Sequence, residues 1–304
     1  MEIINIVPRG FCKGVVQAIQ KAKQSAKLYP DEPITILGEL VHNQEVVNQL
    51  DLAGLKTIES KHKSRLELLD DVNKGVVIMT AHGVHSSVIE KAKNKGLIVV
   101  DASCEDVIVT QNLVDSYLKN DYEIIYIGQP GHPEAEAILL SNPDKVHLIQ
   151  SIDDANQLSL TTEKLFMTNQ TTMSILDIQA IMDVVLKHYP NTVVSNEICS
   201  ATRTRQEAVL NLKPVDCLLV VGDPKSNNSK MLVKIGQNKN IPFVTLVQSY
   251  NDLKTIDLSQ FNSIAITAGA STPTYLINQV QAYCNALNLN LNPEDEALKI
   301  KPFL

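Results

Sequence analysis

The sequence predicts an α/β protein made of three similar α/β lobes, each with a small parallel sheet, set around a pseudo-threefold axis with a central cavity. Three observations predict it. Cysteines recur at Cys12, Cys104 and Cys199, 92 and 95 residues apart. Apolar runs ending in glycine recur at Gly38, Gly128 and Gly222, 90 and 94 apart. Apolar runs ending in threonine recur at Thr80, Thr168 and Thr267, 88 and 99 apart. A fixed period of this kind is the signature of one unit written three times.

The elements of each unit follow in order. One strand ends near the cysteine, and a helical pattern comes after it, as in VVQAIQKAKQSAKL beyond Cys12. The next strand ends at glycine (ITILG, IIYIG, LLVVG) and another ends at threonine (VVIMT, LFMT, SIAIT). These runs are apolar without alternation, so their sheets are expected to be parallel and covered on both faces. Right-handed crossovers then gather the post-strand loops at one edge, where ligands of such sheets bind. At roughly 150 residues per domain, a chain of 304 suggests two domains. The period instead gives three lobes, at 14–104, 105–196 and 197–304.

Composition narrows the function. Apolar residues make up 44% and charged residues 20%, a globular balance that excludes disorder and low-complexity fibres. Trp is absent and aromatics reach only 4%, so the core is expected to be aliphatic. The net charge of −7 argues against a nucleic-acid partner, whose footprint is basic. No run reaches the roughly 18 uncharged apolar residues of a membrane span, and MEIINIVPRG lacks the features of a signal peptide. A cytoplasmic protein without a membrane partner is expected.

Five cysteines without a CxxC argue against a disulfide framework or a local zinc ribbon. Cys217, in DCLLVV, and Cys284, in LINQVQAYCNAL, read as small buried hydrophobes. Cys12, Cys104 and Cys199 lie instead between a strand and a helix, where chemistry-bearing loops sit. Three thiolates without a fourth ligand suit a metal centre with one open position. A [4Fe–4S] cluster on three Cys leaves one iron open to substrate, and thiolates favour Fe–S chemistry. A zinc on three Cys, or three unrelated thiols, are the other readings.

The glycine and threonine loops add polar groups at matching offsets. Four residues past each glycine come His42, His132 and Ser226, the last followed by Asn227 and Asn228. The threonine loops carry His82, then Gln170, Thr171 and Thr172, then Ser271. Such side chains beside loop amides and helix N-termini suit an anion without a Lys/Arg cluster. His62, His147 and His188 have no repeat partner, and His85 can be read either way. Glu134, two residues after His132, is either a first-turn helix acid or a proton carrier with a raised pKa. Glu136 competes with it for that role.

At these residues a family comes into view. PRGFCKGV, VHN, TAHGV, DASC, GHPE, TNQTTMS, EICSATRTRQEA, VVGDPKSNNS and TAGASTP run in order from residue 8 to residue 273. In them the chain resembles the 4-hydroxy-3-methylbut-2-enyl diphosphate reductases, which catalyse the last step of the methylerythritol phosphate route to isoprenoids. The resemblance implies a [4Fe–4S] cluster on Cys12, Cys104 and Cys199, with one open iron site for the substrate's hydroxyl oxygen. It implies that His42, His82, His132, Ser226, Asn228 and Ser271 bind the diphosphate of an allylic substrate; Asn227, Thr171 and Thr172, the last beside Thr171, are also expected to bind substrate. Glu134 and Thr171 match the residues that deliver a proton to the hydroxyl. An electron donor such as flavodoxin or ferredoxin is implied, as is an N-terminal strand, 1–13, that joins the third lobe. Glu105 stands after Cys104 where the family typically has Pro. The competing readings are a quinolinate-synthase-like dehydratase, which GHPE and SNNS oppose, and an iron–sulfur sensor, which has no need of Glu134, Thr171 and an anion ring.

Overall fold

A computed structural model describes residues 1–60 and 62–302. Residues 303 and 304, at the end of the expected third lobe, lie outside the described residues. The chain opens with β1 (Glu2–Asn5) and α1 (Lys13–Leu28). It continues through β2 (Ile34–Leu37), α2 (Gln44–Leu52), β3 (Leu55–Ile58), α3 (Arg65–Leu68), β4 (Val76–Met79), α4 (Ser86–Asn94) and β5 (Ile98–Asp101). The same alternation repeats in α5 (Glu105–Lys119), β6 (Glu123–Ile127), α6 (Pro133–Ser141), β7 (Val146–Ile149), α7 (Ile152–Gln157), β8 (Leu165–Asn169), α8 (Ile175–His188) and β9 (Val193–Val194). A third round follows in α9 (Ser200–Leu210), β10 (Cys217–Val221), α10 (Asn227–Asn238), β11 (Phe243–Val247), β12 (Ser263–Ala268), α11 (Thr274–Asn288) and α12 (Pro293–Leu298).

These strands make three four-stranded parallel sheets, so the chain is an α/β protein of three lobes. Their orders are β3-β2-β4-β5, β7-β6-β8-β9 and, read in the same direction, β11-β10-β12-β1. The topology is identical in all three, with β1 in the place that β5 and β9 hold in the others. Each sheet has one strand more than the run-ending pattern implied. The extra strands, β3, β7 and β11, carry no recurring terminal residue, and they mix polar with apolar side chains because they are partly exposed edges.

The chain divides into two compact units. One comprises Met1–Val15, His42–Gln49 and the chain from Ser200 onward, and holds the β1-containing sheet. The other comprises Val16–Val41 and Leu50–Cys199, and holds the other two sheets.

The central strands explain the absence of alternation. Every residue of β10 is buried. Cys217, Leu219 and Val221 face α11 through Ile277, Val280 and Cys284, whereas Leu218 and Val220 face α9 and α10 through Val209, Leu232 and Ile235. In β6, Ile125 and Ile127 face α8, and Ile124 and Tyr126 face α5 and α6. On α8 the buried set Ile178, Ile181, Met182 and Val185 has helical spacing, and Ser174 caps the helix by accepting from Asp177 N. Burying each such aliphatic side chain contributes about 1.5–3 kcal/mol. Cys217 and Cys284 sit wholly inside the first cluster, as small hydrophobes. No described helix is long and apolar enough to cross a membrane.

The strand ends are stitched alike in every sheet. Gly38, Gly128 and Gly222 donate their backbone N–H to Ile58, Ile149 and Val247 at 2.8–2.9 Å. Ala81, Gln170 and Gly269 donate to Leu40, Ile127 and Val221 at 2.8–3.0 Å. Gly38 has a second constraint. Its φ is +103°, and a Cβ there would lie 2.7 Å from Arg65 Cζ. A Gly38→Ala change is therefore expected to cost about 1–3 kcal/mol, read as a lower thermal midpoint.

Candidate active site

Each cysteine of the periodic set sits in the same local frame. Cys104 N donates to Ala81 O, Cys199 N to Thr171 O and Cys12 N to Ala270 O, at 3.0–3.1 Å. In every case the acceptor belongs to the loop that follows the threonine strand. Each cysteine also directly precedes a helix, α5, α9 or α1. All three thiols are half-buried, so their sulfurs can still reach a ligand. Cys217 and Cys284 differ: burial pushes both thiols up to about 12, which disfavours ligation by thiolate.

In the unit with two sheets, the glycine and threonine loops of one lobe converge on a carboxyl. His132 is the N-cap of α6, its Nδ1 accepting from Glu134 N at 3.2 Å, with Pro133 in the first turn. Glu134 is 3% exposed. Both of its oxygens lie 3.0 Å from Thr171 Oγ1, and Oε2 also accepts from Thr171 N at 3.0 Å. Burial pushes the Glu134 carboxyl up to about 7; the Thr171 bonds pull it down and nearby Asp106 adds a smaller upward push. Gln170 orders the rest of this loop, accepting from Gln129 N at 2.9 Å and donating to Thr172 Oγ1 at 3.2 Å. The rings of His82 and His132 meet edge to face, with centroids 5.4 Å apart.

In the other unit, Ser271 Oγ donates to His42 O at 3.0 Å, which fixes the loop ahead of α2. Ser226 caps α10, accepting from Ser229 N, and Asn227 and Asn228 form its buried first turn. Asn228 is 3% exposed, yet neither its side-chain nitrogen nor its oxygen has a partner among the described residues. Leaving such an amide unpaired is costly unless a ligand completes it.

The structure also sorts the ambiguous residues. His85 is a helix cap, its Nδ1 accepting from Ser87 N ahead of α4. His147 pairs with Glu123 at 2.7 Å. Glu136 does not join the Thr171 cluster; its Oε1 accepts from Arg65 N at 2.8 Å. Two residues had no role in the sequence reading. Arg205, 4% exposed, donates to Gly10 O at 2.6 Å and to Ala201 O at 2.8 Å, holding the Cys12 loop against α9. Asp106 places a carboxylate 4.0 Å from Cys104 Sγ. The signal for Arg205 was a basic residue in the second turn of a helix that follows a repeat cysteine; for Asp106 it was a first-turn acid.

Three lobes of one topology, each presenting a cysteine beside a polar loop, define an α/β protein of the LytB class. The LytB protein family model matches residues 3–285, and the chain belongs to that family. Its curated relatives carry a definite name. It is 44% identical over 287 residues to the 4-hydroxy-3-methylbut-2-enyl diphosphate reductase of Brevibacillus brevis, covering 92% of this chain and 90% of that one. It is 42% identical to the reductase of that name from Symbiobacterium thermophilum, covering 96% and 99%. Among solved structures, the E-1-hydroxy-2-methyl-but-2-enyl-4-diphosphate reductase from Plasmodium falciparum superposes with a TM-score of 0.86 at 32% identity, covering 97% of this chain and 90% of that one.

The raised carboxyl makes stability depend on pH. The unfolded chain releases the Glu134 proton near 4.5, but the folded protein holds it to about 7. This contribution is complete below 4.5 and is lost as pH rises through 7, about 3 kcal/mol in all. Thermal melts across that range should show the decline in the parent protein, and Glu134→Gln should remove that part of it.

Proposed function

We propose that this chain is an iron–sulfur reductase that removes the allylic hydroxyl of 4-hydroxy-3-methylbut-2-enyl diphosphate, yielding isopentenyl and dimethylallyl diphosphates in the cytoplasm. The observation that carries the reading is the buried Glu134 carboxyl held on Thr171, a proton donor poised near neutrality. Membership of the LytB family and the names of its relatives support the substrate.

The donor set fits a [4Fe–4S] group with three Cys ligands and one open iron. Cys12, Cys104 and Cys199 are half-buried, outside any disulfide, anchored through their backbone N–H groups and followed by helices whose N-termini favour negative charge. When bound, the cluster supplies single electrons, taken from a donor such as flavodoxin or ferredoxin, and a Lewis-acidic iron for the substrate oxygen.

The chain's own residues do the rest. His42, His82, His132, Ser226, Asn227, Asn228 and Ser271 bind the diphosphate, with Thr172 beside them. The unpaired Asn228 amide gains its partners in this step. Glu134 gives its proton, through the Thr171 hydroxyl, to the leaving oxygen, so that water departs rather than hydroxide. Two electrons and a second proton complete the reduction. That proton adds to either end of the allyl fragment, which gives the two products.

Protein purified and reconstituted without oxygen should release water from this substrate only when a reductant is present. An intact cluster that turns over no substrate refutes the reading. Glu134→Gln should keep its iron and still bind substrate, but turn over about 100-fold more slowly or worse. Cys217→Ser should retain full iron and sulfide, as measured chemically.

A further inference from the structure

We propose that Glu136 and Arg65 form a latch that sets the rotation of α6, making both positioning residues for Glu134. The inference rests on the reading of Glu134 as the proton donor.

Residues 134 and 136 lie two positions apart on α6, about 200° around its axis. Their carboxyls therefore leave the helix on opposite sides. Glu134 points to Thr171 in its own lobe. Glu136 points the other way, to Arg65 N at the start of α3 in the lobe built on β2–β5. That amide is one of the donors a helix N-terminus leaves without an intrahelical partner, and a carboxylate makes a charge-assisted bond to it.

Arg65 is itself immobilised. It is 7% exposed. Its guanidinium is bidentate to Glu59, Nη1 to Oε1 at 2.9 Å and Nη2 to Oε2 at 3.0 Å. Glu59 in turn accepts from Glu39 N and Ser60 N. Although burial acts to raise it, these bonds hold the Glu59 carboxyl below its ordinary value, as expected of a charged, well-donated carboxylate. The guanidinium also lies directly over Gly38, which has no Cβ to collide with it. Arg65 is thus fixed to the carboxyl edges of β2 and β3, and offers α6 a rigid point of attachment. Around the bond, Val84, Val88, Pro133 and Ala137 line a narrow, mostly apolar cleft.

The consequence concerns the geometry of proton delivery. The helix has nine residues; the buried Ala135, Ala137 and Ile138 and the Glu134–Thr171 bonds hold it to its own lobe, and the Glu136–Arg65 bond ties it to the lobe built on β2–β5. With that tie released, only the contacts to its own lobe set its rotation, and a small turn moves Glu134 off Thr171 Oγ1. Catalytic groups misplaced by about 1 Å lose up to roughly 100-fold in rate.

The test compares Glu136→Ala, Glu136→Gln and Glu134→Gln in reconstituted enzyme. Glu136→Ala should lower kcat about ten-fold, leave KM within about two-fold, keep full iron and sulfide, and speed hydrogen exchange at the Arg65 amide. Glu136→Gln keeps an acceptor oxygen and should restore most of kcat and the parent pH profile. A Glu136→Ala enzyme at the parent rate, beside an inactive Glu134→Gln, overturns the latch alone. So does a Glu136→Gln enzyme as slow as Glu136→Ala, or a loss expressed through KM or iron content. A Glu134→Gln enzyme at the parent rate removes the proton-donor reading and the latch with it.

Discussion

A carboxyl at 3% exposure, with the Thr171 hydroxyl as its side-chain donor, is the constraint on which the proposed chemistry of this protein depends. Water would hold Glu134 ionised at neutral pH. Burial opposes ionisation, whereas the Thr171 hydroxyl and amide favour it, and burial is the larger effect. Both pieces come from the ends of adjacent strands, β6 and β8, whose parallel pairing sets Ile127 beside Asn169 and brings their loops together. Beneath these loops Tyr126, Ala135, Ile138 and Phe166 are buried in one cluster, and Tyr126 is near enough to interact with the Glu134 charge. Sheet register, core packing and acidity are thus one arrangement seen at three scales.

The repeated backbone bonds serve a parallel purpose for the thiols proposed to hold the cluster. A metal-binding cysteine must be exposed enough to ligate and fixed enough to need little reorganisation. Tying its N–H to a carbonyl of the neighbouring loop meets both needs, and the chain uses that device three times. Arg205 adds a charged clamp on one of these loops, through Gly10 O. Asp106, close to Cys104 Sγ, adds negative charge beside another. The three lobes therefore share a frame but differ in local electrostatics.

Much of this was legible in the sequence because strand ends carry chemistry. Cys, Gly and Thr recur where strands stop, and the topology places those stops in equivalent positions. Strands β3, β7 and β11 escaped notice for the converse reason: they are partly exposed edges whose ends do nothing that recurs. Cys217 and Cys284 were readable as core residues from their apolar neighbours alone. Glu134 and Glu136 were not separable by pattern, since both are early acids on one helix. Only the third dimension shows that one meets Thr171 and the other Arg65. His85 is similar, because a cap and a ligand have the same sequence signature. Asn228 shows the opposite case, a position named by pattern whose buried amide has no partner among the described residues.

The central claim is that Glu134 carries a proton at neutral pH because the fold withholds water from it. Infrared difference spectroscopy of the parent protein against Glu134→Gln, recorded as pH is raised, measures this directly. The account predicts a protonated-carboxyl band in the parent, missing from the variant, that disappears with a midpoint near 7. A band that has already vanished by pH 5 would contradict it.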